Sequence, residues 1–186
     1  MPANRFLEKA EVEVYANTLL DSLNSAGGID AVMEARTQME QGVAYNRSHI
    51  DLMNAAEDPL LAPEERANLV QKVFEGASPA VASMLGVMAE RGGLSILSRV
   101  LAVFNELISE KLGVTVVDVV TRVPLDDHLR ELIKNKAHAE LGGEVVLREQ
   151  IDENMLGGII MNAGGQRIDA SMKTMLEAAR VALKRA

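Results

Sequence analysis

The stretch VTVVDVVTRV, Val114 to Val123, decides how the chain is read, because it is dense in β-branched residues where the preceding sequence is not. Val and Thr lose rotamer freedom on a helix and pack well on a pleated surface, so these ten residues predict a strand. Before them the apolar residues recur at the 3.6-residue period of helices. After them helical and strand periods alternate. The spacing therefore predicts an α+β chain, a helical part followed by a small mixed-sheet α/β part, with the boundary near residues 110–113.

On the helical side, Val12, Tyr15, Ala16, Leu19, Leu20 and Leu23 form one stripe, and Gly27-Gly28 is expected to stop that helix. A second helix is expected from Asp30 to about Gly42, with Val32, Met33 and Met39 on one side, and a short third from about Ser48 to Asn54. The fourth, LAPEERANLVQKVFEG (61–76), has Pro63 in its first turn and Glu64 and Glu65 at the positive end of its dipole. Ser78 as cap and Pro79 as first residue open a fifth, carrying Val81, Leu85 and Met88 and closed by Gly92-Gly93. The sixth runs from about Ser95 to Lys111, with Ile96, Leu97, Val100, Leu101, Phe104, Leu107 and Ile108 inward. Six helices joined by short glycine-marked loops predict an antiparallel six-helix bundle.

Beyond the decisive strand, Asp126 to Leu141 reads as a helix and Val145 to Glu149 as a strand. Gly158 to Ala163 with Gln166 to Asp169 reads as a hairpin. A last helix from about Ser171 places Met172, Met175, Leu176, Ala179 and Leu183 on one stripe, where both methionines are expected in the core. Domains of 1–108 and 113–186 follow. The first is long enough to close its own core, and the second is expected to be the less stable.

The segment GGIIMNAGGQRIDASM, Gly157 to Met172, raises the question of a phosphate cradle. A Walker loop needs Gly-Lys followed by Ser or Thr, and here Gln166 and Arg167 follow the second glycine pair. The dinucleotide fingerprint is also missing. Gly157, Gly158, Gly164 and Gly165 are therefore read as structural turn residues, the second pair in a two-residue hairpin.

Composition narrows the function. Of 186 residues 48% are hydrophobic but only 3% aromatic, with no Trp and ten Met, so aliphatic side chains must build the core. Zero Cys removes disulfides, thiolate metal sites and cysteine nucleophiles. The net charge of −8 argues against a nucleic-acid binder. Residues 1–112 carry 9 basic and 16 acidic groups, whereas 113–186 carry 10 and 11. The last 20 residues reverse the sign, setting Arg167, Lys173, Arg180, Lys184 and Arg185 against Asp169 and Glu177, which biases a protein partner's choice of face. Met1 to Glu13 is polar and charged, unlike a signal peptide, and the longest uncharged run, Gly76 to Ala89, has 14 residues. That is short of the ~18 of a membrane span, so a soluble chain is expected.

Nothing specifies an active site. His49, His128 and His138 include no pair at the spacing of a helical zinc site. His138 to Glu140 has the His-x-Glu of zinc deaminases without their cysteines, and reads as a solvated helix face. The acid pairs Glu64-Glu65, Asp126-Asp127 and Asp152-Glu153 lie at helix starts or turns, and no serine sits in a nucleophile elbow. No catalytic, cofactor or metal residue is expected. A binding or scaffold protein is favoured. An enzyme whose site assembles from scattered residues stays open. So do a small nucleotide-binding α/β enzyme, which would need a phosphate loop that Gly164-Gly165 does not supply, and a nucleic-acid module, which would need a sharply basic face.

The C-terminal residues carry a more specific pattern. Gly157-Gly158, Ile159 to Met161, Gly164-Gly165, Ile168-Asp169, Ala170-Ser171 and Leu176-Glu177 resemble the signature of the delta-subunit family of bacterial rotary ATP synthases, which includes the mitochondrial oligomycin-sensitivity-conferring protein. VYANTLLDSL (14–23) and MLGVMAERGGLSIL (84–97) resemble the family's first helix and its fifth-to-sixth helix junction. Ala170, Gly165 and Ser83-Met84 depart from the usual Gly, Asp and Asn-Phe. The resemblance implies a non-catalytic peripheral-stalk subunit that keeps the catalytic head from turning with the rotor. It implies that the helical domain holds the N-terminal helix of an alpha subunit and the C-terminal domain the ends of the b subunits. Location at the cytoplasmic face of the cell membrane, attached only indirectly, follows, with no cofactor. The resemblance also points to Tyr15, Leu19, Met84 and Val87 as the alpha-binding face. By residues alone, all four serve equally well as ordinary core.

Overall fold

The computed structural model describes residues 5–163 and 165–185. Among these, seven α-helices and a four-stranded sheet form two compact units that divide between Leu107 and Ile108, so the class is α+β. The helical elements are α1 (Arg5–Ser48), α2 (Ile50–Ala56), α3 (Pro63–Val73), α4 (Pro79–Glu90), a 3-10 turn (Leu94–Ile96) and α5 (Leu97–Leu112). Then come β1 (Val114–Thr121), α6 (Asp127–Leu141), β2 (Glu144–Ile151), β3 (Gly158–Ala163), β4 (Gln166–Ser171) and α7 (Met172–Arg185).

Arg5–Ser48 forms one 44-residue run, but Gly28, with φ 63° and ψ −149°, is non-helical and kinks it, so two helices meet at the glycine pair as expected. Gly42 does not stop the second of them. It is buried against α5 and Phe74, where a Cβ would make ordinary contact with Leu97 at 3.5 Å and Phe74 at 3.7 Å, and the helix continues to Ser48. Leu20, Met39, Leu85, Met88, Leu97 and Phe104 are among the largest fully buried side chains. Buried with them is Arg36, whose Nε donates to Asn105 Oδ1 at 2.8 Å and faces Glu40 at 3.5 Å. A buried cation needs such partners, because desolvation otherwise costs more than packing returns. Ser78 stands at the N-cap of α4, yet its hydroxyl makes no cap bond. Its backbone N–H donates to Gln38 Oε1 at 2.8 Å, which ties the start of α4 to α1.

In the C-terminal unit the sheet order is β2-β1-β3-β4. β1 and β2 run parallel, joined by the α6 crossover, and β3 is antiparallel to both β1 and β4. Side chains alternate across a strand. Val117 and Val119 therefore face Leu125 and Ile133 in the core, with Val145, Leu147, Ile159 and Met161 around them. Asp126 Oδ1 accepts the Leu129 N–H at 2.7 Å and caps α6, which the guanidinium of Arg130 then ties to β2 through Glu149 at 2.5 and 3.1 Å. That fork holds the Glu149 carboxyl below its ordinary range.

Ala163 pairs with Gln166, which leaves two residues for the β3–β4 loop. Gly164 lies outside the described residues. Gly165 has φ 78° and open space where a Cβ would be, so backbone conformation alone demands glycine there. Gly165→Val is expected to destabilise this unit by about 1–3 kcal/mol. Unchanged denaturant midpoints would contradict the strain.

Candidate functional site

Two surfaces carry more apolar area than their own unit covers. The first is a groove between the first half of α1 and α4. Along α1 the core stripe Val12, Ala16, Leu19, Leu20 and Leu23 is buried. One step round the helix runs a second line, Leu7, Val14, Thr18, Ser22 and Ala26, that lines the groove. Leu7 is 69% and Val14 62% exposed.

α4 supplies the opposite wall. Its sequence is apolar nearly all round, and Val81, Met84, Leu85, Gly86, Met88 and Ala89 are buried. Gly86 faces α3, where a Cβ would meet the Gln71 amide at 2.9 Å, so helix α3 packs close on that side. Ala80, Ser83, Met84, Val87 and Arg91 turn to the groove. Polar groups gather at one place. The Tyr15 hydroxyl donates to Glu11 Oε1 at 3.3 Å, and Arg91 lies 3.9 Å from the same carboxylate. Burial pushes the Tyr15 phenol up from its ordinary value, partly offset by the charge of Arg91.

All four residues singled out from the sequence line this groove, at different depths. Leu19 and Met84 are buried in its floor, Tyr15 is half-buried, and Val87 is 39% exposed. Sequence reasoning missed Leu7 and Val14. The signal was their seven-residue spacing, which continues through the polar Thr18 and Ser22 and so does not read as a stripe. The groove encloses about 1140 Å³. Small-molecule sites hold roughly 300–1,000 Å³. Leu7 to Ala26 span about 28 Å of helix, which suits a peptide segment better than a metabolite.

The second surface is α7. Met172 and Met175, expected in the core, are 49% and 59% exposed, and Leu176 and Leu183 are 59% and 79% exposed. The apolar stripe is real, but it faces out. Asp169 anchors the helix: its Oδ1 accepts from the Ser171 N–H and the Thr174 hydroxyl, each at 3.1 Å. Hydrogen bonds from Ser171 above all hold the Asp169 carboxyl down, to about 2. In this way the Ile-Asp-Ala-Ser run fixes where the strand ends and the helix begins. Gly157 and Gly158 serve the same junction. Gly158 is the first residue of β3, opposite Ser171, and not a turn residue.

Among the described residues no group of three or more His, Asp or Glu could hold a metal, and no helix is long and apolar enough to cross a membrane. His138, read as a solvated helix residue, is exposed with Nδ1 2.6 Å from the Gly143 carbonyl oxygen.

The profile of the family described as ATP synthase delta (OSCP) subunit matches residues 12–183. The chain belongs to that family. Relatives include the delta subunit of Paracoccus denitrificans, 30% identical with 91% of this chain and 90% of the relative covered. The delta subunit of Rhodopirellula baltica is 29% identical, with 89% and 72% covered. A chain of the Toxoplasma gondii mitochondrial ATP synthase hexamer shares the fold, with a TM-score of 0.50, 16% identity, and 92% of this chain and 96% of that one covered. As a member of the ATP synthase delta family the chain is a non-catalytic peripheral-stalk subunit, with its part in ATP synthesis and proton transport played through the complex. The nucleotide-binding enzyme falls away as an alternative.

Proposed function

We propose that the α1–α4 groove of this delta-family subunit receives the N-terminal helix of an alpha subunit, and that the C-terminal unit holds the ends of the b subunits. The helical segments on either side of Gly28 then act as two members of a six-helix bundle over 1–108, with 113–186 as the stalk-binding domain. Bound in this way, the subunit links the catalytic head to the stalk, and the head resists rotor torque. Its attachment is peripheral, at the cytoplasmic face of the cell membrane, and wholly through protein partners.

The observation that carries the alpha assignment is the apolar groove, with Tyr15, Leu19, Met84 and Val87 on its two walls. An amphipathic helix binds by laying its apolar face in such a groove. The test is Val87→Asp. Because Val87 is 39% exposed, the free protein can hydrate the new carboxylate and stay folded. A docked helix would desolvate it without a partner, costing roughly 2–4 kcal/mol of binding. Calorimetric titration with a peptide of the alpha N-terminus measures this. A folded variant that binds as tightly as the parent removes the alpha assignment.

A further inference from the structure

The column of cations beside the exposed stripe of α7 specifies more than an apolar partner. At 3.6 residues per turn Met172, Leu176, Ala179 and Leu183 fall on one line, spaced four, three and four residues apart, as in the seam of a two-stranded coiled coil. Lys173, Arg180 and Lys184, at i, i+7 and i+11, form a second line along one edge of that seam, with Glu177 at i+4 as the one acid within it. Ala178 and Ala182 occupy the other edge. Elsewhere in this unit the arginines of the sheet and of α6 are engaged: Arg130 with Glu149, Arg148 with Asp118, Arg167 with Asp169. Among the described residues Lys173, Arg180 and Lys184 are in no ion pair within the chain. All three are exposed.

We infer that α7 receives an amphipathic helix that carries acidic residues along one edge of its apolar stripe, at heptad spacing, and that Lys173, Arg180 and Lys184 read that edge. The inference rests on the proposed reading of the C-terminal unit as the seat of the b subunits, and adds which face is used and what the stalk helix must present. Seam flanks set partner choice and orientation in coiled coils, because charges there are close enough to attract or repel across the interface. The alanine edge lets the backbones approach, whereas the cationic edge keeps them apart and demands opposite charge. A partner helix is thereby fixed in rotation about its own axis. An anionic membrane surface offers the same charge with no heptad order, and it is separated by the test.

The experiment uses the full chain, the soluble domain of b from the same complex, and two variants checked for folding by circular dichroism. Leu176→Asp places a charge in the seam. The triple variant K173E/R180E/K184E reverses the edge and leaves the seam intact. Expected is a loss of b binding of at least a hundredfold for Leu176→Asp. The triple variant should bind about tenfold more weakly at about 50 mM salt, with the difference shrinking at about 500 mM as screening removes it. If Leu176→Asp fails to bind but the triple variant binds like the parent at low salt, the acidic-edge inference is wrong while the b-subunit reading stands. If both variants bind like the parent, α7 is not the docking face. A parent that binds no b domain overturns the reading beneath it. Binding of the parent to phosphatidylglycerol vesicles, lost in the triple variant, would assign the column to lipid and overturn the inference.

Discussion

Gly158→Val is expected to disorder the β3–β4 edge of the C-terminal sheet, at a cost of about 3 kcal/mol or more. Two independent effects act at this position. The backbone has φ 88°, which a β-branched residue resists, and a Cβ would lie 2.4 Å from the Ala170 carbonyl oxygen and 2.8 Å from Ser171 Cα. Both obstructing atoms are backbone of the paired strand, so relief requires β3 and β4 to separate where Ser171 hands over to α7. The Met172 N–H, which donates to the Gly157 carbonyl at 3.0 Å, would lose its partner in the same movement. Hydrogen exchange on the full chain should show protection lost along 158–171 and retained in the helical unit. Retained protection in that hairpin would show that the strands can absorb the side chain.

Phe104→Ala should cost the helical unit about 3–5 kcal/mol. The chain has three Phe, two Tyr and no Trp, and Phe104 is a fully buried aromatic on α5, flanked on its stripe by Val100 and Ile108, also buried. Few large side chains are available to collapse into the space it leaves. Native domains are stable by only about 5–15 kcal/mol, so the change removes a large share of the margin. Denaturant unfolding of the full chain, followed by helical signal, measures it. A loss below about 1 kcal/mol would mean that the aliphatic neighbours refill the cavity.

Much of this architecture was legible in the residues. Val114 to Thr121 formed the expected strand because β-branched side chains favour the pleat whatever surrounds them. The hairpin strands and α6 followed from local turn and cap chemistry. What failed depended on distant neighbours. Gly42 looked like a helix stop, but it is a contact point for Leu97, 55 positions further on. Ser78 looked like a capping hydroxyl, but Gln38 fastens its backbone. Met172 and Met175 were assigned inward since a helical stripe records only that something apolar should cover it, not whether that cover belongs to the same chain. The groove was half legible for the same reason. Tyr15, Leu19, Met84 and Val87 line it but read equally well as core, whereas Leu7 and Val14 were masked by hydroxyl residues that continue their line.

The scarcity of aromatics has an optical consequence. With no Trp and two Tyr, near-ultraviolet emission comes from Tyr15 in the groove and from Tyr45, whose ring stacks on His49 at 3.9 Å. Tyr15 is bonded to a carboxylate at the polar end of that groove. A segment settling over it changes both the water around the phenol and that bond. The natural sequence thus carries its own fluorophore at the place where a partner would lie, and Tyr45→Phe leaves Tyr15 as the single tyrosine to follow occupancy without a dye.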